Sequence, residues 1–206
     1  MILCDIGNTH FYFLDDKKGT YKLDAEGFDI SSIHEKVYFI SVNHYWEKRL
    51  EFEENWVNLR EYVDFEGYYA SMGIDRIACC KAVSDALIID AGSAITVDRV
   101  EEGKHQGGYI YPGLSAMQKC FKDISPRLEV SLNFDIDLAT MPTNTQDALS
   151  YGVIHPLISS IRTLSKNAEV IITGGDAEKI YPFIPHAKID HELVFKGMKK
   201  IIQGIA

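Results

Sequence analysis

The fold is decided by the stretch Asp90-Ala91-Gly92-Ser93-Ala94-Ile95-Thr96-Val97-Asp98. An apolar strand at residues 86–89 runs into an acid, a glycine turn and a hydroxyl, and strand-forming residues then return. The same order of residue types occurs near the start of the chain, in Asp5-Ile6-Gly7-Asn8-Thr9. We interpret the two stretches as phosphate-facing hairpins from two halves of one nucleotide-binding fold.

The bulk composition is that of a globular protein. Of the 206 residues, 46% are apolar and 25% are charged, and the length suffices for two small domains packed together. The net charge of −9 argues against nucleic acid or an anionic membrane as the main partner, because either needs a basic surface. Since no apolar run approaches the ~18 to 20 residues of a membrane span and the first residues lack a basic secretory start, we expect a cytoplasmic protein.

The cysteines are predicted to be buried free thiols. They show no CxxC pair and no histidine at zinc spacing, so neither a disulfide framework nor a metal knuckle is expected. The four are Cys4, Cys79, Cys80 and Cys120.

Hydrophobic periodicity predicts an α/β fold with a mixed sheet in each half. Strands are predicted at residues 2–6, 11–14, 20–23, 36–42, 62–65, 86–89, 96–101, 107–111 and 169–173. Helices are predicted at residues 47–57, 72–83, 114–123, 144 or 145 to 165, 177–181 and 191–202, with residues 128–141 as an exposed excursion. Pro156 is expected to bend or split the fourth helix. The halves are predicted as residues 1–84 and 85–206, with the closing helix, about 191–204, packing back on the first half.

Phosphoryl transfer needs donors for the phosphates, carboxylates for cations and a base near the acceptor hydroxyl. A Walker A string and a GxGxxG string are both absent, which excludes the P-loop and the dinucleotide fingerprint. Asp5 before Gly7, Asn8 and Thr9 suits Mg²⁺ together with phosphate oxygens, although an isolated string of this kind is more often an Asx turn. Asp90 before Gly92 and Ser93 repeats the pattern, which makes coincidence a weaker explanation.

Two further stretches are ambiguous from spacing alone. Thr173-Gly174-Gly175-Asp176 is either an ordinary turn or one that lets a ribose or base approach the backbone. Gly73-Ile74-Asp75-Arg76 is either a capping acid with a solvated arginine or a general base beside a guanidinium that binds a substrate carboxylate.

Taken in order, these strings resemble the type III pantothenate kinases of the acetate kinase, sugar kinase, Hsp70 and actin superfamily. Each string is weak alone, but together they span nearly the whole chain in the family's order. They are DIGNT at 5–9, GIDR at 73–76, DAGSAITVD at 90–98, GGYIYPGL at 107–114, NTQDAL at 144–149 and ITGGDA at 172–177.

The resemblance implies two actin-like, ribonuclease H-like halves, each a mixed sheet with flanking helices, and ATP in the cleft between them. It implies transfer of a phosphate from ATP to pantothenate, the first step of coenzyme A biosynthesis. Asp75 matches the catalytic base. The segment that binds pantothenate corresponds to Gly73, Ile74, Asp75 and Arg76, together with Tyr68 or Tyr69, of which we prefer Tyr69. Thr145 matches a threonine that reaches the substrate from the partner subunit of a homodimer.

The same resemblance implies the nucleotide and metal ligands. Asp90 matches the ligand of a monovalent cation, K⁺ or NH₄⁺, and Asp5 lies near Mg²⁺. The residues implied to bind ATP are Asp5, Gly7, Asn8, Thr9, Gly92, Ser93, Thr96, Gly174 and Gly175.

Three departures from the family's pattern and two alternatives accompany this interpretation. The chain is shorter than typical members of the family, and the stretch before Gly73 is condensed. Ser93 stands where the family usually has threonine, and the hydroxyl is retained. A non-catalytic regulator resembling accessory transcription factors, built on the same scaffold, is one alternative. A kinase of another small hydroxy acid is the other, because a guanidinium at Arg76 would bind many carboxylates.

Overall fold

The computed structural model describes residues 1–165 and 168–204, and the chain forms two compact units. The first unit comprises residues 1–84, 102–105 and the chain from residue 192 onward, and the second comprises residues 85–101 and 106–191. Residues 166, 167, 205 and 206 of the predicted second half lie outside the described residues.

The described residues contain ten strands and six α-helices. The strands are β1 Ile2–Ile6, β2 His10–Asp15, β3 Gly19–Asp24, β4 Val37–Ser41, β5 Trp56–Asn58, β6 Ala86–Ala91, β7 Ala94–Glu101, β8 Lys104–Pro112, β9 Val170–Thr173 and β10 Lys188–Ile189. The helices are α1 His44–Leu50, α2 Ile74–Ala82, α3 Leu114–Ile124, α4 Thr145–Leu164, α5 Ala177–Ile180 and α6 Leu193–Gln203.

The two sheets have the same topology. The strand order is β3-β2-β1-β4-β5 in the first sheet and, read in the matching direction, β8-β7-β6-β9-β10 in the second. In each, the central strand pairs antiparallel with the next strand of the chain and parallel with a later one, β1 with β2 and β4 and β6 with β7 and β9. Asp5 and Asp90 therefore occupy equivalent places near the carboxyl ends of the two central strands.

The core of the first unit is aromatic. Phe11 is fully buried, and its ring lies 4.9 Å from Trp46 and 4.5 Å from Phe28 between centroids. Helix α6 packs on α2 so closely that a Cβ at Gly197 would lie 1.8 Å from the carbonyl oxygen of Ala78. The absence of a side chain at residue 197 therefore fixes the distance between these helices.

Aliphatic residues fill the core of the second unit. Helix α4 contributes the buried face Val153, Ile154, Leu157 and Ile158, which belongs to one cluster with the central strand β6. These positions recur at the spacing of a helix face, and the helix therefore buries one stripe against the sheet. α4 continues through Pro156, so of the two predicted effects of that proline, splitting of the helix does not occur.

Most predicted elements are confirmed, and the errors have identifiable causes. The helix predicted at 47–57 is wrong: α1 starts behind the Asn43 cap and stops at Leu50, and Trp56 begins β5. The Trp56 side chain points into the core, where its ring centroid lies 5.9 Å from that of Phe39, a residue distant in sequence. Its position in the sequence also matches helical spacing, which explains the wrong prediction. The strand predicted at 62–65 is also wrong, because Asp64 accepts a hydrogen bond from the Glu66 amide and closes a loop there.

Three smaller predictions change. The 128–141 excursion is only partly exposed, because Leu132 is buried and the Asn133 amide donates to Ser150. All four cysteines are free, as predicted, but Cys120 is exposed and not buried. Strand β10, only two residues long, was not predicted.

Among the described residues, no helix combines the length and apolarity needed to cross a bilayer.

Candidate active site

A tight hairpin follows the central strand of the first unit. Asp5 is half-buried near the end of β1, opposite Tyr12 on β2 and Ile40 on β4. The Gly7 amide donates to the carbonyl of His10 over 3.0 Å, and this bond closes the turn. Asn8 and Thr9 are exposed on it. The hairpin therefore places a carboxylate, an amide side chain and a hydroxyl at one edge of the sheet.

Helix α2 presents Asp75 in its first turn. Asp75 Oδ1 accepts a hydrogen bond of 2.8 Å from the Arg76 amide, at the positive end of the helix. Gly73 is the N-cap residue, and a Cβ there would lie 2.4 Å from the same Oδ1. The lack of a side chain at residue 73 thus leaves the space that this carboxylate occupies.

Arg76 and the two preceding tyrosines form a polar and aromatic group. Only 5% of Arg76 is exposed, and its Nη1 donates to the hydroxyl of Tyr69, whose ring is exposed. Tyr68 is half-buried, and burial, followed by the nearby Cys80 and Asp64, raises its pKa to about 12. Of the two tyrosines that the sequence left open, the structure joins Tyr69 to Arg76.

One residue links the hairpin to α2 within the first unit. The Val42 amide donates to the carbonyl of Ile6 at the end of β1 over 3.2 Å. Its Cγ1 lies 3.7 Å from the position that a Cβ of Gly73 would occupy. The predicted phosphate turn and the Asp75 segment therefore meet at the same edge of the first sheet.

The second unit repeats a strand-end turn after β6. Asp90 pairs with Thr96 on β7 and with Thr173 on β9, so all three lie at one edge of the sheet. The Gly92 amide donates to the Ala94 carbonyl over 3.1 Å, and Ser93 is exposed in the turn. A Cβ at Gly113, which precedes α3, would lie 2.3 Å from the Ser93 carbonyl oxygen. The backbone at the N-cap of α3 thus packs directly on this turn.

The glycine turn after β9 packs on the same edge. Gly174 has a φ of +89°, and a Cβ there would lie 2.5 Å from both Asp90 Oδ1 and the Ala91 carbonyl oxygen. The Asp176 amide donates to that same carbonyl over 2.9 Å. Gly175 is exposed beside them. The structure therefore brings together the predicted residues of the second unit at 90–96 and 174–175.

Thr145 lies elsewhere in the second unit, at the exposed first position of α4. Asn144 is the N-cap, as predicted, and accepts from the Asp147 amide over 2.9 Å. Hydrogen bonds from Asn133 and Asn144 lower the pKa of Asp147. No contact described for residues 1–165 and 168–204 joins Thr145 to the end of β6, and a polar cavity of about 300 Å³ lies against its N-cap residue.

The sequence of residues 13–167 matches the type III pantothenate kinase family. The chain belongs to this family. It is 44% identical to the type III pantothenate kinase of Sulfurimonas denitrificans over 98% of each chain. The family and the kinase class predicted from the sequence are both confirmed.

Solved structures agree on the fold of this type III pantothenate kinase family member. A Campylobacter jejuni protein, described as a candidate Baf family transcriptional activator, matches with a TM-score of 0.85 and 38% identity over 98% of each chain. A Sinorhizobium meliloti protein, described as a candidate 2-dehydro-3-deoxygalactonokinase, matches with a TM-score of 0.59 and 11% identity, covering 99% of this chain and 96% of that one. The predicted class, two actin-like mixed sheets with flanking helices, is confirmed.

In this pantothenate kinase family member, Asp90 and the Ala91 carbonyl offer two oxygen donors at the end of β6. Asp90 Oδ1 and the Ala91 carbonyl oxygen lie beside Gly174, each 2.5 Å from the position that a Cβ there would occupy. A carboxylate with a backbone carbonyl is a set of hard oxygen donors, the kind that hard cations prefer. Asp5 similarly offers the hard oxygen that Mg²⁺ prefers.

Four residues near the candidate site were given no role from the sequence. In the sequence, Gly113 stood out only as part of the string GGYIYPGL. A glycine is required there because of a contact with the backbone of Ser93, which is distant in sequence. Thr173 is buried at the strand end, and Asp176 supplies an amide to β6. His105 lies against the rings of Tyr68 and Tyr69, and nothing in the residues beside it in the sequence indicates this contact.

Proposed function

We propose that this chain transfers the γ-phosphoryl group of ATP to the hydroxyl of pantothenate, the first step of coenzyme A biosynthesis, in the cytoplasm. The observation that carries the proposal is the arrangement at α2, where Asp75 lies at the helix start beside the buried Arg76. Membership of the type III pantothenate kinase family indicates ATP and pantothenate as the two substrates.

Asp75 is proposed to accept the proton of the pantothenate hydroxyl as that oxygen attacks phosphorus. An aspartate carboxylate is ionised at neutral pH, and its main task in a loose phosphoryl-transfer transition state is to orient the nucleophile. The bond from the Arg76 amide holds Oδ1 in place, so the carboxylate is oriented before substrate arrives. Gly73 and Ile74 complete the segment, with backbone groups beside the same carboxylate.

Arg76 and Tyr69 are proposed to bind the carboxylate of pantothenate as a pair. Because only 5% of Arg76 is exposed, substrate meets the exposed Tyr69 first. Arg76 donates to the Tyr69 oxygen, which leaves the hydroxyl proton of Tyr69 directed outward as a donor. The positive charge behind it strengthens that donor.

The nucleotide is proposed to bind at the strand-end turns. Asn8 and Thr9 donate to phosphate oxygens in the first unit, and Ser93 and Thr96 do so in the second. The Gly7 and Gly92 amides close their own turns, and these two glycines let the phosphates approach the backbone closely. Gly174 and Gly175 lie against the nucleoside. Mg²⁺ near Asp5 and K⁺ or NH₄⁺ at Asp90 would supply positive charge to a triphosphate that binds a chain of net charge −9.

The test of the function is ADP release coupled to a readout enzyme, with and without pantothenate and K⁺. We expect release only when both are present, and a phosphorylated pantothenate in the product by ³¹P NMR. Equal or faster release with other small hydroxy acids would reassign the substrate. Absence of pantothenate-dependent release at any K⁺ concentration would overturn the proposal.

The alternative of a non-catalytic regulator is not favoured. The description of the Campylobacter jejuni structure as a candidate transcriptional activator is the observation on its side. Against it, the family match is to kinases and Asp75 is retained beside Arg76. The same assay separates the two, because a regulator would bind ATP without consuming it.

Tyr69→Phe is expected to raise the KM for pantothenate about tenfold while kcat stays within about twofold, because one charge-supported hydrogen bond is lost. Tyr68→Phe is the matched control, since Tyr68 is half-buried and has no hydrogen bond to Arg76 among the described contacts. Steady-state kinetics with each substrate varied would measure both. A larger effect from Tyr68→Phe would reverse the assignment.

We also propose a homodimer in which Thr145 of one subunit completes the site of the other. Thr145 is exposed at the start of α4, where it is free to contact a second chain. If so, the Asp75→Asn and Thr145→Ala variants, each weak alone, should regain roughly a quarter of wild-type activity when unfolded together and refolded as mixed two-fold dimers. A monomeric mass by light scattering with activity retained would contradict the dimer.

A further inference from the structure

We propose that His105 is a positioning residue that holds the tyrosine pair, Tyr68 and Tyr69, in the arrangement in which Tyr69 binds pantothenate. This inference rests on the proposed function and deepens it, because it assigns part of the affinity for pantothenate to a residue outside the matching strings.

The loop that carries the two tyrosines has little support of its own. Residues 63–73 contain no helix or strand, and Gly67 adopts a φ of +84° within them. Two short backbone bonds stabilise it, from Tyr68 to Phe65 over 3.0 Å and from Met72 to Tyr69 over 2.9 Å. These bonds fix the backbone turns but not the ring of Tyr69, of which 46% is exposed.

His105 contacts both rings. The centroid of its imidazole lies 5.9 Å from that of Tyr68, with planes 29° apart. The centroid of Tyr69 lies 6.2 Å away, with planes 45° apart. Both separations fall in the range in which aromatic pairs attract each other. A single side chain therefore bridges two adjacent residues of the loop.

The turn between β7 and β8 positions His105 beside the two tyrosines. It is the second residue of β8 and follows a turn in which Glu102 and Gly103 both have positive φ, 51° and 72°. Two such residues are typical of a tight type I′ turn, which fixes the direction of the returning strand. The Gly103 amide also donates to the Ser84 carbonyl over 2.8 Å, in the same unit as the tyrosines.

Helix α2 supports the other side of the group. A ring nitrogen of His105 and Cys80 Sγ lie within 4.8 Å of each other. Lys81 places its Nζ 5.5 Å from the centroid of the Tyr68 ring. The half-buried Tyr68 ring therefore contacts both Lys81 of α2 and His105. Because Tyr68 and Tyr69 are adjacent in the loop, a change in the position of the imidazole should also change the position of Tyr69.

Tyr69 is consequently fixed at two points. Its hydroxyl accepts from Arg76, and its ring lies against His105. The Arg76 guanidinium also lies over the same ring, with its Cζ 5.6 Å from the ring centroid, so Arg76 and His105 restrict the ring from two different elements, α2 and β8. Preorganisation of this kind lowers the cost of ordering a side chain on binding. The effect should fall on the substrate that Tyr69 contacts and spare the nucleotide.

The experiment compares His105→Ala with His105→Phe, which keeps an aromatic ring. We expect His105→Ala to raise the KM and the calorimetric Kd for pantothenate about three- to tenfold, with kcat and the KM for ATP within about twofold. His105→Phe should stay within about twofold of wild type on all four. The matched control is His155→Ala in the second unit, where the imidazole stacks on Tyr151 at 4.6 Å; it should change none of them.

Four outcomes decide the proposal. Unchanged pantothenate affinity in His105→Ala overturns it, and so does an equal loss for both substrates, which would indicate a structural role only. Failure of His105→Phe to restore affinity also overturns it. If His105→Ala does not unfold cooperatively, His105→Gln, which removes the ring but keeps a polar side chain, is measured with the same expectations. Wild-type protein that neither binds nor phosphorylates pantothenate overturns the proposed function itself, a result distinct from the other three.

Discussion

Asp75→Asn is expected to lower kcat by about 10² to 10⁴, the usual contribution of a positioned general base. The variant keeps the size and the hydrogen-bonding oxygen of the side chain, so the bond from the Arg76 amide can persist. What is lost is the capacity to accept the hydroxyl proton. The KM for ATP should change by less than about threefold, because the carboxylate is proposed to act on the other substrate.

A measurement of the stability of Asp75→Asn distinguishes a catalytic role of the carboxylate from a role in stabilising the start of α2. If Asp75 were only an acid in the first turn of α2, its loss would cost about 0.3 to 1 kcal/mol through the helix dipole and leave kcat unchanged. Glu47→Gln is the matched control, because Glu47 is the acid in the first turn of α1. Thermal unfolding of both variants with steady-state kinetics measures the two effects together. Full activity in Asp75→Asn would remove the base from the mechanism.

Local sequence signals predicted the elements that carry the site. β1 follows from its uninterrupted apolar run, and α4 from the Asn144 cap with Asp147 in the first turn. These predictions succeeded because the residues that define each element are neighbours in sequence. The repeated order of acid, glycine and hydroxyl also predicted two similar halves, although it did not predict the order of the strands.

Contacts between distant residues could not be predicted in the same way. Trp56 was assigned to a helix because its inward direction depends on Phe39, on a neighbouring strand. Nothing beside His105 in the sequence shows that its imidazole meets the rings at residues 68 and 69. The choice between Tyr68 and Tyr69 was open for the same reason, because it depends on which hydroxyl reaches Arg76.

The reason for the glycine at residue 174 also emerges only from the folded chain. The sequence offered two readings of the turn, an ordinary one and one that allows close approach of a nucleotide. The structure adds a third requirement: a Cβ at residue 174 would lie 2.5 Å from Asp90 Oδ1. The turn after β9 therefore determines where the carboxylate at the end of β6 can lie, and a test at residue 174 reports on Asp90.

Gly174→Ala is expected to lower the free energy of unfolding by about 2 to 4 kcal/mol, from the left-handed φ of +89° and from overpacking against Asp90 and Ala91. Displacement of the Asp90 carboxylate should raise the K⁺ concentration for half-maximal activity and the KM for ATP by about tenfold or more. Both quantities come from steady-state rates with K⁺ or ATP varied, beside thermal unfolding of the same samples with and without K⁺.

Gly19→Ala is the control that separates overpacking against Asp90 and Ala91 from backbone strain. Gly19 has a φ of +78° at the start of β3, and nothing lies within 4 Å of the position of its Cβ. It should lose about 1 kcal/mol of stability from backbone strain alone, with K⁺ activation unchanged. K⁺ should stabilise wild type and Gly19→Ala against heat but not Gly174→Ala, because only there is the carboxylate displaced. Equal K⁺ dependence in all three would show that Asp90 does not hold the cation, whatever the cost in stability at residue 174.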